Sequence, residues 1–157
     1  MRNLRAWPIF QVLLLVLSSA SCGFSPVYAP GSETAAALSE ISVAAPNSRP
    51  SYLLVREMEE RLGRPTRAKN LLRYQISVSS EGDVADANRI RLIGVVTYDL
   101  AEIGSEKVLF SGEVDSFTGY SADNTFVSAV RQDALKRLMV ILADQLFREL
   151  IIKFTER

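Results

Sequence analysis

Apolar and polar residues change their period several times along this chain, and each change marks an element. Leu72, Tyr74, Ile76 and Val78 alternate with Arg73, Gln75, Ser77 and Ser79. A two-residue period puts one set on each face of a pleated strand, so this stretch predicts a half-buried strand. Ile90, Leu92, Val96 and Tyr98 share a face over residues 89–100, and Val108, Phe110 and Val114 do so over residues 107–117. Ile103-Gly104-Ser105 between them predicts a hairpin. Gly94 and Gly112 lie inside these strands, where glycine marks a bulge or a close approach by another segment. Leu38, Ile41 and Val43 alternate less regularly and predict a short strand that Pro46 ends.

Helical spacing appears twice. Leu54, Val55, Met58 and Leu62 recur on one side of a first helix, with Glu57, Glu59 and Glu60 expected to face away. Ser48 and Pro50 suit its start, and Gly63 and Pro65 its end. A second helix is predicted over residues 126–154, introduced by the turn formers Ser121, Asp123 and Asn124. At 1.5 Å per residue it is roughly 40 Å long. Val127, Val130, Ala134, Leu138 and Ile141, edged by Leu135 and Leu142, form the stripe expected against a sheet. The order strand, helix, three strands, helix predicts an α+β domain, with two helices packed on one face of a four-stranded, mainly antiparallel sheet.

Ahead of this domain the pattern is different. Arg2 and Arg5 precede an apolar run over residues 7–17, which is too short to span a bilayer as a permanent helix. Ser19, Ala20 and Ser21 then lead to Cys22, the only cysteine. Positive start, apolar run, small residues and cysteine form the layout of a bacterial lipoprotein signal peptide over residues 1–21. The Cys22 thiol is then expected to carry diacylglycerol and its freed amine a further acyl chain such as palmitate. At about 0.8 kcal/mol per buried CH₂, two or three chains anchor stably where one does not. An ordinary secretory signal followed by an incidental cysteine is the alternative. Residues 22–37, rich in proline, glycine, serine and alanine, are expected to be a flexible tether reaching up to about 50 Å. Phe24, Val27 and Tyr28 have no use in a passive tether and suggest docking on the domain. Residues 38–157 are expected to form one domain.

Composition narrows the chemistry. Removing Arg2 and Arg5 with the signal leaves 16 basic and 18 acidic residues, a net charge of −2, which gives nucleic acid no general attraction. Acylation of Cys22 would leave no thiol for a disulfide. Histidine is absent, which removes the commonest general base and metal ligand. Asp83 and Asp86 share a loop without calcium-binding spacing and read as solvated acids. No glycine-rich phosphate loop precedes a helix. No catalytic site, metal site or cofactor is therefore expected.

Two surfaces stand out instead. Arg61, Arg64, Arg67, Lys69 and Arg73 fall within a stretch free of acids, and arginine forks suit the phosphates of an anionic glycolipid. The competing reading is a solvated helix end, with Glu57–Arg61 and Glu60–Arg64 as i,i+4 pairs. On the last helix, Met139, Leu146, Phe147, Leu150, Ile151 and Phe154 spread over more faces than a sheet covers. Either the domain packs them internally or a partner protein covers them.

The opening of the mature chain, Cys22-Gly23-Phe24-Ser25-Pro26-Val27-Tyr28, resembles that of the LptE family of lipopolysaccharide-assembly lipoproteins. The element order and residues 129–150 resemble the family in pattern. The resemblance implies a non-enzymatic outer-membrane lipoprotein facing the periplasm, acylated at Cys22. Such a protein plugs the β-barrel LptD, assists its assembly and helps lipopolysaccharide reach the outer leaflet. Gly23 is compatible with outer-membrane sorting. Competing functions are an auxiliary lipoprotein of an ABC-type phospholipid transporter, a cell-envelope hydrolase and a stand-alone lipid carrier.

Overall fold

The computed structural model describes residues 33–82, 89–121 and 127–156. Its elements are helix α1 (Glu33–Ser39), strand β1 (Ile41–Val43), helix α2 (Arg49–Leu62), strands β2 (Asn70–Gly82), β3 (Arg89–Glu102) and β4 (Val108–Ser121), and helix α3 (Val127–Thr155). The signal segment, Cys22, the tether through residue 32, the loop with Asp83 and Asp86, and Asp123, Asn124 and Phe126 lie outside the described residues.

The strands lie in the order β1-β2-β3-β4. β2, β3 and β4 are antiparallel, while β1 runs parallel to β2 with Ile41 opposite Asn70 and Val43 opposite Leu72. The sheet is therefore mixed, and its one parallel pair needs the long crossover that α2 supplies. Ser48 caps α2: its hydroxyl accepts from the Ser51 N–H, and the Ser51 hydroxyl accepts from the Ser48 N–H at 2.8 Å. Gly63 ends it at φ +78°, a backbone conformation that glycine adopts without strain.

α1 occupies part of the stretch expected to be tether. Pro30 and Gly31 lie upstream of it, and Ala35, Ala36 and Ala37 are strong helix formers. Leu38, expected in a strand, ends up fully buried on this helix.

The core lies between the sheet and the helices. Leu72, Leu92, Val96, Tyr98, Leu100 and Val114 meet Leu54, Met58 and Leu62 of α2 and Leu138, Met139, Leu142, Leu146 and Leu150 of α3. Gly94 is a close approach rather than a bulge: a Cβ there would stand 2.8 Å from Leu142 Cδ1. Gly112 lies opposite Tyr98, whose ring covers it so closely that a Cβ would stand 2.6 Å from the hydroxyl. The one register shift falls elsewhere, where Leu100 pairs with Phe110 and Ala101 with Val108.

That shift corrects one expectation. The extra residue, Leu109, reverses the facing of the chain before it, so Val108 points outward and is 47% exposed. Ile141 also leaves its expected place and is exposed. α3 packs against α2 as well as the sheet, which turns its buried arc toward Met139, Ala143 and Leu150 and away from Ile141. Glu57, expected to face solvent, is buried, with Arg56 and Arg61 of the same helix bonded to its carboxylate.

Candidate functional site

The basic run is largely neutralised where the fold places it. Arg61 donates to the Glu57 carbonyl at 2.6 Å and to its carboxylate at 3.3 Å, and also approaches Asp144 of α3 at 3.7 Å. Arg64 grips Glu59 through two nitrogens, at 3.1 and 2.8 Å, rather than the expected Glu60. Glu60 pairs with Arg56 instead. Lys69 meets Glu40 at 2.6 Å, and Arg73 meets Asp99 across the β2–β3 pair at 2.7 and 2.6 Å. Arg67 is exposed and has no ion-pair partner among the described residues. The run thus ties α2 to α3, the α2–β2 loop to the turn before β1, and β2 to β3. Exposed pairs of this kind add little stability, typically about 0–1 kcal/mol each.

Glu57 sits at the centre of this network. The Arg56 hydrogen bond, at 2.6 Å, holds its carboxyl below the ordinary glutamate value, aided by Arg61 and opposed by burial.

Part of the apolar end of α3 is covered from within, while Ile152 stays exposed. Met139, Leu146 and Leu150 are fully buried, which is the internal-packing alternative of the two at those three positions. Phe147, Ile151 and Phe154 pack along the core's margin, and Phe154 meets Phe110 edge-on with ring centroids 5.4 Å apart.

A different surface emerges at the far end of the sheet. Glu81, Gly82, Arg89, Ile90, Arg91, Phe117 and Gly119 line a shallow cavity of about 460 Å³. Residues 91, 93 and 117 lie on the sheet face turned away from the helices, with Ile93 opposite Phe117 and Arg91 opposite Gly119. The Arg91 guanidinium stands 4.9 Å from the centre of the Phe117 ring, and that ring is 60% exposed. Arg89 and Arg91 have no ion-pair partner among the described residues. From α3, Arg137 reaches the Gly119 carbonyl at 3.4 Å while pairing with Asp133.

Uncommitted guanidinium groups beside an open aromatic face can hold an anion and an apolar chain together. The strand pattern carried this signal: with Ile90 and Leu92 inward, Arg89 and Arg91 must point outward. Among the described residues there is no cluster of metal-binding side chains, and no helix is long and apolar enough to cross a membrane.

Residues 38–150 match the family model for LptE, lipopolysaccharide-assembly. The chain belongs to the LptE family. LptE proteins are non-enzymatic envelope lipoproteins of lipopolysaccharide assembly. Solved structures share the fold. A lipoprotein from Caulobacter crescentus superposes with a TM-score of 0.68 at 22% identity, covering 78% of this chain and 96% of the other. The rare lipoprotein B from Shewanella oneidensis gives 0.54 at 14% identity, with 74% and 96% covered. A minor lipoprotein from Acinetobacter baumannii gives 0.54 at 13% identity, with 71% and 88% covered. No curated protein matches the sequence.

Proposed function

We propose that this LptE-family chain is anchored in the outer membrane through acyl chains on Cys22 and faces the periplasm. There it lodges in the lumen of an LptD-type β-barrel, assists assembly of that barrel and helps lipopolysaccharide enter the outer leaflet. The match to the family over residues 38–150 carries this reading. Cys22 after a signal-like segment supports the anchor.

Within this reading, the surface formed by Arg89, Arg91 and Phe117 is the contact for lipopolysaccharide. Guanidinium forks fit its phosphates, and the exposed ring of Phe117 fits the first methylenes of its acyl chains. The run from Arg61 to Arg73 is the weaker candidate, because four of its five cations already hold carboxylates.

Depletion of the protein tests the reading. Surface lipopolysaccharide should fall and the barrel should accumulate in an immature form. A normal outer leaflet, or co-purification with an inner-membrane transporter in place of a large barrel, would refute it.

A further inference from the structure

The sheet ends in an open edge. β4 is the last strand in the order, it is 14 residues long, and no described residue pairs with its far side. Proteins blunt such edges with proline, lysine, bulges or a covering segment. β4 contains no proline or lysine, and its one irregularity lies at its start. Its outward N–H and C=O groups can therefore pair with an added strand.

The side chains along the edge select what that strand can be. Glu113 and Asp115 stand two residues apart on the face turned away from the helices, both exposed and neither with an ion-pair partner among the described residues. Opposite charges across a strand pair stabilise it, and like charges oppose it. Toward the helices, a cleft of about 320 Å³ runs between β4 and the last turns of α3, lined by Val114, Asp115, Gln145, Arg148, Glu149 and Ile152. Ile152 is 48% exposed, and Gln145 Oε1 is buried with no hydrogen-bond partner among the described residues. The Tyr98 hydroxyl, above Gly112 of β4, is buried without one as well. Threonine, which has a methyl group for Ile152 and a hydroxyl donor for Gln145, fits this side of the edge.

We propose that the β4 edge receives an extended segment of another protein as a fifth strand, with basic side chains two residues apart against Glu113 and Asp115 and a β-branched side chain between them in the cleft.

The chain itself does not supply this segment. A second copy pairing β4 with β4 would bring Glu113 and Asp115 against their like. Basic residues two apart occur in this sequence only at Arg67 with Lys69 and at Arg89 with Arg91. Lys69 is tied to Glu40 through both its backbone N–H and its ammonium, and β3, which holds Arg89 and Arg91, is already paired on both sides. The docking goes beyond the functional reading above and does not depend on it. Acids that attract a basic strand repel the phosphates of a glycolipid, so this edge and the surface of Arg89, Arg91 and Phe117 take different ligands.

The peptide Ser-Val-Lys-Thr-Lys-Val-Ser, blocked at both ends and titrated into the isotope-labelled full mature chain in detergent, tests the docking. It reads the same in both directions, so it serves a parallel or an antiparallel pairing. Amide resonances of residues 112–116 should shift and saturate below about 1 mM peptide. Replacing both lysines of the peptide with glutamate should weaken binding about tenfold, and the double substitution Glu113→Lys, Asp115→Lys, on two exposed side chains, should reverse that preference. Alternate N–H groups of a strand point to opposite sides. Methylating the peptide nitrogens of both lysines, or instead those of the threonine and valines, should abolish binding in one case and preserve it in the other. Shifts that do not saturate or that centre away from β4, equal affinity for the two peptides, an unreversed preference in the doubly substituted chain, or the same response to both methylations would overturn the proposal. None of these readouts requires acylation, a barrel or lipopolysaccharide.

Discussion

Replacing Gly94 with alanine sets one methyl group against the tightest contact between sheet and helix. The new Cβ would stand 2.8 Å from Leu142 Cδ1, 3.0 Å from Leu138 Cδ2 and 3.2 Å from Leu138 Cγ. Relaxed carbon contacts lie at about 3.5–4.0 Å. Leu142 Cδ1 is the tip of a side chain and can turn aside. Leu138 Cγ cannot retreat without moving α3, because both leucines are fully buried. Two effects compete. Alanine in a strand interior gains about 0.5–1 kcal/mol over glycine, largely by restricting the unfolded chain. Overpacking a filled core costs about 1–3 kcal/mol. The cost wins, and Gly94→Ala should destabilise by about 0.5–2 kcal/mol, read as a lower urea midpoint at unchanged slope. A double-mutant cycle identifies the cause. Leu138→Ala alone should cost about 2–5 kcal/mol. In the Gly94→Ala background it should cost at least about 1 kcal/mol less, because the cavity accepts the methyl. A neutral or stabilising Gly94→Ala, or strict additivity, would refute the close-approach argument.

Leu146→Ala should lower stability by about 2–5 kcal/mol in the same urea assay, while Ile141→Ser, on the exposed side of α3, should stay within about 0.5 kcal/mol. The reverse order would show that the apolar end of α3 is not core. The folded-state pKa of Glu57 is depressed, chiefly by the Arg56 hydrogen bond, so its contribution is present above the unfolded value and lost as pH falls through the folded one. Native protein should therefore lose stability as pH falls through and below the ordinary glutamate range, and Glu57→Gln should flatten that decline; parallel pH profiles would refute the assignment. Arg91→Glu and Phe117→Ala should leave the urea midpoint within about 0.5 kcal/mol and weaken binding of purified lipopolysaccharide about tenfold, while Arg64→Glu leaves it unchanged. Loss of affinity in Arg64→Glu alone would return the contact to the basic run.

Where one rule governs a residue's facing, the sequence predicted it well. Strict alternation from Leu72 to Val78 placed β2, and the predicted order of elements is the observed one with α1 added. The misplaced residues are those that a distant neighbour decides. Ile141 belongs by its spacing to a helical stripe, but the centre of the buried arc depends on where α2 sits. Val108 turns outward because of an inserted residue that pairing alone reveals. α1 was hidden because proline and glycine just upstream made its alanines read as tether.

The same distinction separates the two candidate sites. A cluster of cations in sequence becomes a cationic surface only if the fold brings no carboxylates to it. Glu40, Asp99 and Asp144 all come from other parts of the chain to meet Lys69, Arg73 and Arg61. Such partners cannot be seen in a local window, so five charges that look concentrated along the chain project little field from the folded surface. Arg89 and Arg91 show the opposite case. They are two ordinary polar positions of an alternating strand, without an ion-pair partner among the described residues, and Arg91 lies over an aromatic ring that strand pairing brings beside it. An anion meeting this domain finds fewer arginines there, but they are not already bound to acids, and Coulomb attraction depends on that uncompensated charge rather than on how many basic residues stand in a row.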